Sequence, residues 1–159
     1  MRYNPDKRYM RIAIAEAKKN LKSLNGGPFG ACIVKGKMVL AAANNTVLKN
    51  DATCHAEINA IREASSKIGS YDLKGCVIYS TTEPCPMCFS AIHWARINKI
   101  VFGTGIKDAI KVGFNELKIS SLSMKRLGSS KIDIVSSFLY EECLELFKEW
   151  VILPGSRIY

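Results

Sequence analysis

Four side chains at two spacings carry the chemistry that this sequence offers: His55 and Glu57 in "CHAEIN", then Cys85 and Cys88 in "TEPCPMC". Pro86 suits the first position of a helix, so Cys85 falls at the helix cap and Cys88 one turn inside. Residues three apart share a helix face, and both sulfurs reach one ion. A helix N-terminus also favours thiolate over thiol, the form that a metal needs. His55 supplies a third ligand if it sits in the first turn of its own helix with the ion beyond the helix end. Asp51 and Thr53, just upstream, are start signals that place the helix there. One His and two Cys suit zinc and leave its fourth position open, the mark of a catalytic centre. Glu57 then has a task. Activated water needs a base to take its proton and an acid to protonate the leaving group, and one carboxylate can do both in turn.

Two other residues compete for the fourth position. His93, the second of only two histidines, lies five residues beyond Cys88 and well round the helix from both sulfurs. It is discounted as a ligand. Cys54 reads as a small buried residue or a spare thiol. A lone C-x-x-C would say little, but H-x-E followed thirty positions later by P-C-x-x-C is specific.

The elements that must position these groups follow from periodicity and punctuation. Asn4-Pro5-Asp6 predicts a helix start, and Tyr9, Ile12, Ala13, Ala17 and Leu21 follow at helical spacing to about Leu24, where Asn25-Gly26-Gly27-Pro28 stops it. "ACIVKGKMVLAAANN" reads as a hairpin around Lys35-Gly36-Lys37. "HAEINAIREASSKI" is a second helix with Ile58, Ile61, Ala64 and Ile68 inward. "CVIYS" is a buried strand, "PMCFSAIHWARI" a third helix, "KIVFG" a strand, "KIDIVSS" a fifth strand and "SFLYEECLELFKEW" a closing helix with Leu139, Cys143, Leu146 and Trp150 inward. The serine-rich stretch 118–131 is a surface loop or a short irregular helix bordering a functional site. Strands alternating with helices imply crossover connections and parallel pairing. The sum is a single α/β domain over residues 1–159, in three layers with a mixed sheet.

Composition bounds the rest. The chain has 159 residues, 48% of them hydrophobic and 23% charged, which is globular. No apolar run approaches the ~18 residues of a membrane span, and the first residues lack the apolar block of a signal peptide, so no membrane partner and a cytoplasmic location are expected. Six cysteines in a reducing compartment point to metal or redox chemistry before disulfides. The net charge of +9 is a soluble face of ordinary helices or an attraction for RNA or an anionic nucleotide. No aromatic-rich basic patch or RNA-binding motif favours nucleic acid.

"CHAEINAIREA" and "TTEPCPMC" together resemble the two motifs of the zinc-dependent cytidine and nucleobase deaminase superfamily, over about Gly27 to Gly113. That resemblance implies an α/β/α cytidine deaminase-like fold with a five-stranded mixed sheet, Zn²⁺ as cofactor on His55, Cys85 and Cys88, and Glu57 as the proton-carrying catalytic residue. Four features lean toward the bacterial-type guanine deaminases. Phe29 in "GGPFGA" stands where those enzymes carry an aromatic residue facing the base. Asn44 matches an asparagine that hydrogen-bonds the purine. "PCPMCFSAIHWAR" is similar through Trp94, which with Phe29 would sandwich the base. Tyr159 matches a terminal tyrosine that closes over the site. "GFNE" stands where that group often has "GFDD", so Glu116 takes the place of an acid implicated in ring recognition and proton transfer. "DATCHAE" likewise departs from the common "DPTAHAE" without losing a ligand.

The resemblance therefore implies hydrolytic deamination of a small-molecule purine, guanine to xanthine and ammonia, by a homodimer in which the C-terminal helix and tail, about 137–159, are open to exchange between subunits. Its alternatives are a tRNA-specific adenosine deaminase, or another nucleobase or nucleoside deaminase acting on cytosine or guanosine.

Overall fold

A computed structural model describes residues 3–159. Helix α1 spans Lys7–Ser23, and strands β1 (Gly30–Lys35) and β2 (Met38–Asn44) form the expected hairpin. A single 3₁₀ turn (Val47–Lys49) leads to α2 (Ala56–Ile68), β3 (Cys76–Thr82), α3 (Pro86–Trp94) and β4 (Lys99–Thr104). Two short helices, α4 (Ile106–Val112) and α5 (Ser121–Leu127), precede β5 (Asp133–Val135) and the closing α6 (Tyr140–Ile152). The strands pair in the order β2-β1-β3-β4-β5. β1 runs antiparallel to both β2 and β3, while β3, β4 and β5 are parallel, so the sheet is mixed as expected.

Alternation along the strands separates two cores. Ala31 and Ile33 of β1 face α2 and α3 with Ile78, Ile100, Ala60, Ala64, Phe89 and Ile92. Cys32 and Val34 face α1 and α6, where Met10, Ala13, Ala17, Tyr79, Val101, Cys143 and Leu146 are buried. Each fully buried aliphatic side chain contributes about 1.5–3 kcal/mol, and both sheet faces are covered this way. That makes three layers.

Local differences from the sequence reading have local causes. α1 starts after Asp6, whose carboxylate accepts from Arg8 N at 2.9 Å, so Asp6 is the cap and Asn4 and Pro5 lie ahead of the helix. In α2 the buried face is Ala56, Glu57, Ala60 and Ala64, with Ile58 only half-buried and Ile61 and Ile68 at the core's margin. The helix lies rotated so that Glu57 points in, and small alanines let it approach the sheet. α4 has no counterpart among the expected elements, because seven residues are too few for an apolar period to stand out. Its signals are at its ends: Gly105 N donates to Asp108 Oδ2 at 2.9 Å, and Gly113 closes it at φ +116°. The serine-rich stretch does hold a short helix, α5, capped by Ser120 accepting from Ser123 N.

The closest approach is between α1 and β1. A Cβ on Gly30 would collide with the Ala13 carbonyl oxygen and lie 2.7 Å from Ala17 N, both backbone atoms that cannot move aside. Gly69, at φ +67°, faces open space. Gly30→Ala should therefore lower stability by about 3 kcal/mol by overpacking, and Gly69→Ala by only about 1–2 kcal/mol for its left-handed backbone. The two urea midpoints check this ordering, and equal shifts would count against it.

Candidate metal centre and substrate pocket

The sheet brings two helix N-termini to one point. His55 is the N-cap of α2 and Cys85 the N-cap of α3, each in extended backbone, with Pro86 at the first helical position. Cys88 sits one turn into α3, fully buried. One donor atom from each lies within 4.8 Å of the others, and His55 Nδ1 is 3.7 Å from Cys85 Sγ. Zinc bonds of ~2.0–2.3 Å in a tetrahedron set donor separations near 3.3–3.8 Å, and a nitrogen with two sulfurs is a zinc donor set. The three residues fit the ion.

The electrostatics agree with that fit. Hydrogen bonding from Cys88 and His55 outweighs burial and draws the Cys85 thiol down to about 4, while Cys88 keeps the proton of the pair and is pushed up. For His55, burial pulls down but the bond to Cys85 and the charges of Glu57, Cys85 and Glu116 carry it upward overall. A cluster so rich in negative groups has a place for a cation. Cys54 is not part of it: its sulfur lies 3.1 Å from Asp51 Oδ2 and 3.3 Å from Arg62 Nη1. His93 is exposed on the far side of α3, as expected. Asp51 and Thr53 do not cap α2. Asp51 Oδ1 accepts from Thr53 N at 2.8 Å and Thr53 Oγ at 2.6 Å, which braces the loop ahead of His55.

Glu57 is only 6% exposed, and burial raises its pKa. Ser80 Oγ, from β3, stands 2.9 Å from Glu57 Oε1, and Cys88 Sγ is 3.5 Å from Oε2. Sequence reasoning missed Ser80. Its only signal is strand alternation, which sends it to the α2 face while Tyr79 goes to the other.

These groups open onto a pocket of about 540 Å³ whose wall includes Phe29, Asn45, His55, Glu57, Cys85, Phe114, Glu116 and Tyr159. Phe29 packs edge-on to Phe114 at 5.0 Å and Phe147 at 5.7 Å, with part of its ring left to the pocket. Burial, then the Cys85 charge, brings Glu116 up to about 7. Its extra methylene does not take it out of the wall.

Two expected contacts fall elsewhere. Asn44 ends the β2 ladder opposite Gly30 and is not in the wall; its carbonyl accepts from Asn59 Nδ2 at 2.9 Å. Successive residues of an extended chain face opposite ways, and the one that faces in is Asn45, 2% exposed. Trp94 is 77% exposed at the far end of α3. Nine residues beyond Cys85, it stands about 13 Å along the helix at ~1.5 Å per residue and cannot stack on a base in the pocket.

Tyr159 closes the wall from the far end of the sequence. Gly27 N donates to its hydroxyl at 2.7 Å, the hydroxyl donates to Asn45 Oδ1 at 2.9 Å, and its ring meets Phe114 edge-on at 5.4 Å. Burial lifts the phenol to about 12, so it stays a donor at neutral pH. Behind it, the fully buried Asn20 gives one amide group to two carbonyls, Gly27 O at 2.8 Å and Asn45 O at 2.7 Å. Asn20, Gly27, Tyr159 and Asn45 form a closed ring of contacts.

The family model for the cytidine and deoxycytidylate deaminase zinc-binding region matches residues 3–104. The chain belongs to this family. Within it, the chain is 40% identical to a guanine deaminase of Bacillus subtilis over 68% of its own length and 70% of that protein. It is 34% identical to a tRNA-specific adenosine deaminase of Buchnera aphidicola subsp. Schizaphis graminum over 94% of its length and 96% of that protein. The solved guanine deaminase from Nitrosomonas europaea superposes with a TM-score of 0.84 at 25% identity, covering 94% of this chain and 86% of that one. The expected α/β/α deaminase fold is thus the observed one, with hydrolytic C–N cleavage as its chemistry and zinc as its metal.

The ligand assignment is checked by metal analysis. Purified deaminase should carry about one zinc per chain, and His55→Ala or Cys88→Ala should lose most of it. Glu57→Gln should keep the metal and lose turnover by about 10²–10⁴-fold, the range for a positioned acid–base group. A metal-free or fully active Glu57→Gln protein would contradict the assignment.

Proposed function

We propose that this protein deaminates a free purine base, converting guanine and water to xanthine and ammonia. The observation that carries this reading is the seat of Tyr159: its hydroxyl, held between Gly27 and Asn45, keeps the ring in the pocket wall, where we read it as closing over the base. A pocket closed in this way suits a small planar base and obstructs a nucleotide still attached to an RNA loop.

Zinc held by His55, Cys85 and Cys88 would supply the Lewis acid that makes water nucleophilic at neutral pH. The chain's own groups do the rest. Glu57, low in the pocket beside the ligands, takes a proton from the attacking water at one carboxylate oxygen and carries it to the ring nitrogen next to C2. Ser80 holds the other oxygen and fixes the carboxylate's plane. Glu57 then takes the proton of the new C2 hydroxyl and delivers it to the amino group, so that the C2–N bond breaks, ammonia departs and C2 is left as a carbonyl. Glu116 stands in the same wall, where burial favours its protonated form. Phe29 and Phe114 give the base apolar walls, and the Asn45 side chain offers a polar edge beside Tyr159. In the single chain the tail closes its own pocket; exchange of residues 137–159 between subunits of a homodimer would make the same contact in trans.

A second reading, deamination of an adenosine within tRNA, has support from the Buchnera relative and from the charge of +9. Removing Ser156–Tyr159 separates the two. On the first reading guanine turnover falls at least ~10-fold, since each lost hydrogen bond contributes about 0.5–1.5 kcal/mol and the pocket opens to water. On the second, release of ammonia from a tRNA anticodon stem is unchanged or improved while guanine stays inert.

A further inference from the structure

Glu83 lies in the loop between β3 and α3, two residues before Cys85, and has no part in the chemistry above. Its backbone N–H donates to the Thr104 carbonyl at 2.8 Å. Its two carboxylate oxygens serve two different helices: Oε2 accepts from Ile106 N at 3.1 Å, and Oε1 from Ser121 N at 2.7 Å. Ile106 and Ser121 are the first residues of α4 and α5, whose opening N–H groups have no partner inside their helices. The next residue repeats the link, since Pro84 O accepts from the fully buried Ser121 Oγ at 3.1 Å. The segment leading to Cys85 is therefore bonded to both ends of the excursion 106–121. Between those ends lie Phe114 and Glu116 of the pocket wall.

We propose that Glu83 is a positioning residue: by holding the first N–H of α4 and of α5 at once, it fixes the distance between the Cys85 loop and Glu116. Glu83 also faces the pocket, but each of its oxygens already accepts from a backbone N–H at a helix start, which ties it to the scaffold. A glutamine keeps one acceptor and turns an NH₂ group toward an N–H. An aspartate is one methylene short of spanning both helices. An alanine leaves both N–H groups without their partner, each otherwise charge-assisted.

The proposal rests on the deaminase reading only in that Glu116 serves the bound base, so it is tested in two parts on the zinc-loaded protein. In Glu83→Gln and Glu83→Asp, amide hydrogen exchange at Ile106 or Ser121 should speed up by about 10-fold or more, with zinc content unchanged. The second part is a double-mutant cycle on guanine turnover. Glu83→Gln alone should lower kcat/KM by about 10-fold or more, yet cost less than about 2-fold further when Glu116→Ala is already present, because both act on one group. Unaltered exchange at both amides overturns the proposal. So do losses that multiply, which would describe a general structural weakening. The exchange measurement needs no substrate. If wild-type protein is inert on guanine, the substrate reading falls, and Glu83 still stands or falls on the two amides.

Discussion

The structure depends on bringing two helix beginnings, those of α2 and α3, to a single point without a covalent link between them. Each helix end concentrates partial positive charge worth roughly 0.3–1 kcal/mol to a nearby anion, up to ~2 kcal/mol when partly buried. That is too little to hold Cys85, Cys88, Glu57 and Glu116 together as anions in one buried place, where removing each from water costs several kcal/mol. Without an ion, protons make up the difference: Cys88 keeps one, and burial raises Glu57 and Glu116. A dication held by His55, Cys85 and Cys88 would supply the compensating charge for the thiolates instead. The sheet order makes the arrangement possible, since β1 runs antiparallel to both β2 and β3 and the loops that follow β2 and β3 leave the same edge of the sheet, one strand apart.

Much of this was legible in the sequence wherever a local rule governs. The metal ligands are fixed by spacing and by Pro86, and the long helices α1, α2 and α6 by apolar periods lasting three turns or more. What failed was of two kinds. Short helices such as α4 carry only end signals, and a Gly with an Asp three residues later is too common to be counted alone. One-residue questions of facing were the other kind. Asn44 and Asn45 are both asparagines at a strand end, and their roles separate only once the register places Asn44 opposite Gly30. Trp94 belongs to a motif by sequence and to the surface by geometry, because a motif on a helix of nine residues reaches well beyond the site at its first turn.

The closure by Tyr159 was unreadable by local rules for a further reason. The partners of its hydroxyl are 132 and 114 positions away, and Asn20, which braces the same ring from within α1, has no spacing relation to any of them. Only the resemblance pointed to the last residue. The ring also explains why a polar side chain sits fully buried in α1. Asn20 satisfies Gly27 O and Asn45 O where the chain turns from α1 into β1 and leaves β2, and two carbonyls there would otherwise cost about 1–3 kcal/mol each.

The two sides of that ring differ in strength, and the difference suits a closure that must also open. The Asn20 side is buried and rigid. The Tyr159 side amounts to three hydrogen bonds, two at its hydroxyl and one from Asn115 N to its carbonyl at 2.9 Å, about 0.5–1.5 kcal/mol each, and one edge-on contact with Phe114, about 0.5–1.5 kcal/mol. Against these stand the lost rotamer freedom of the side chain and the ordering of a terminus that is otherwise half in solvent, with Ile158 45% and Tyr159 36% exposed. The sum is at most a few kcal/mol, which at ~1.4 kcal/mol per tenfold leaves the mouth open for a fraction of time on the order of one part in ten to one in a thousand. Side-chain and terminal motions of that cost recur in nanoseconds to microseconds, far faster than turnover at the ~10 s⁻¹ usual for enzymes. On the proposed function, what the tail contributes is the closed fraction itself, the interval in which Glu57 and the base would face each other with bulk water kept out.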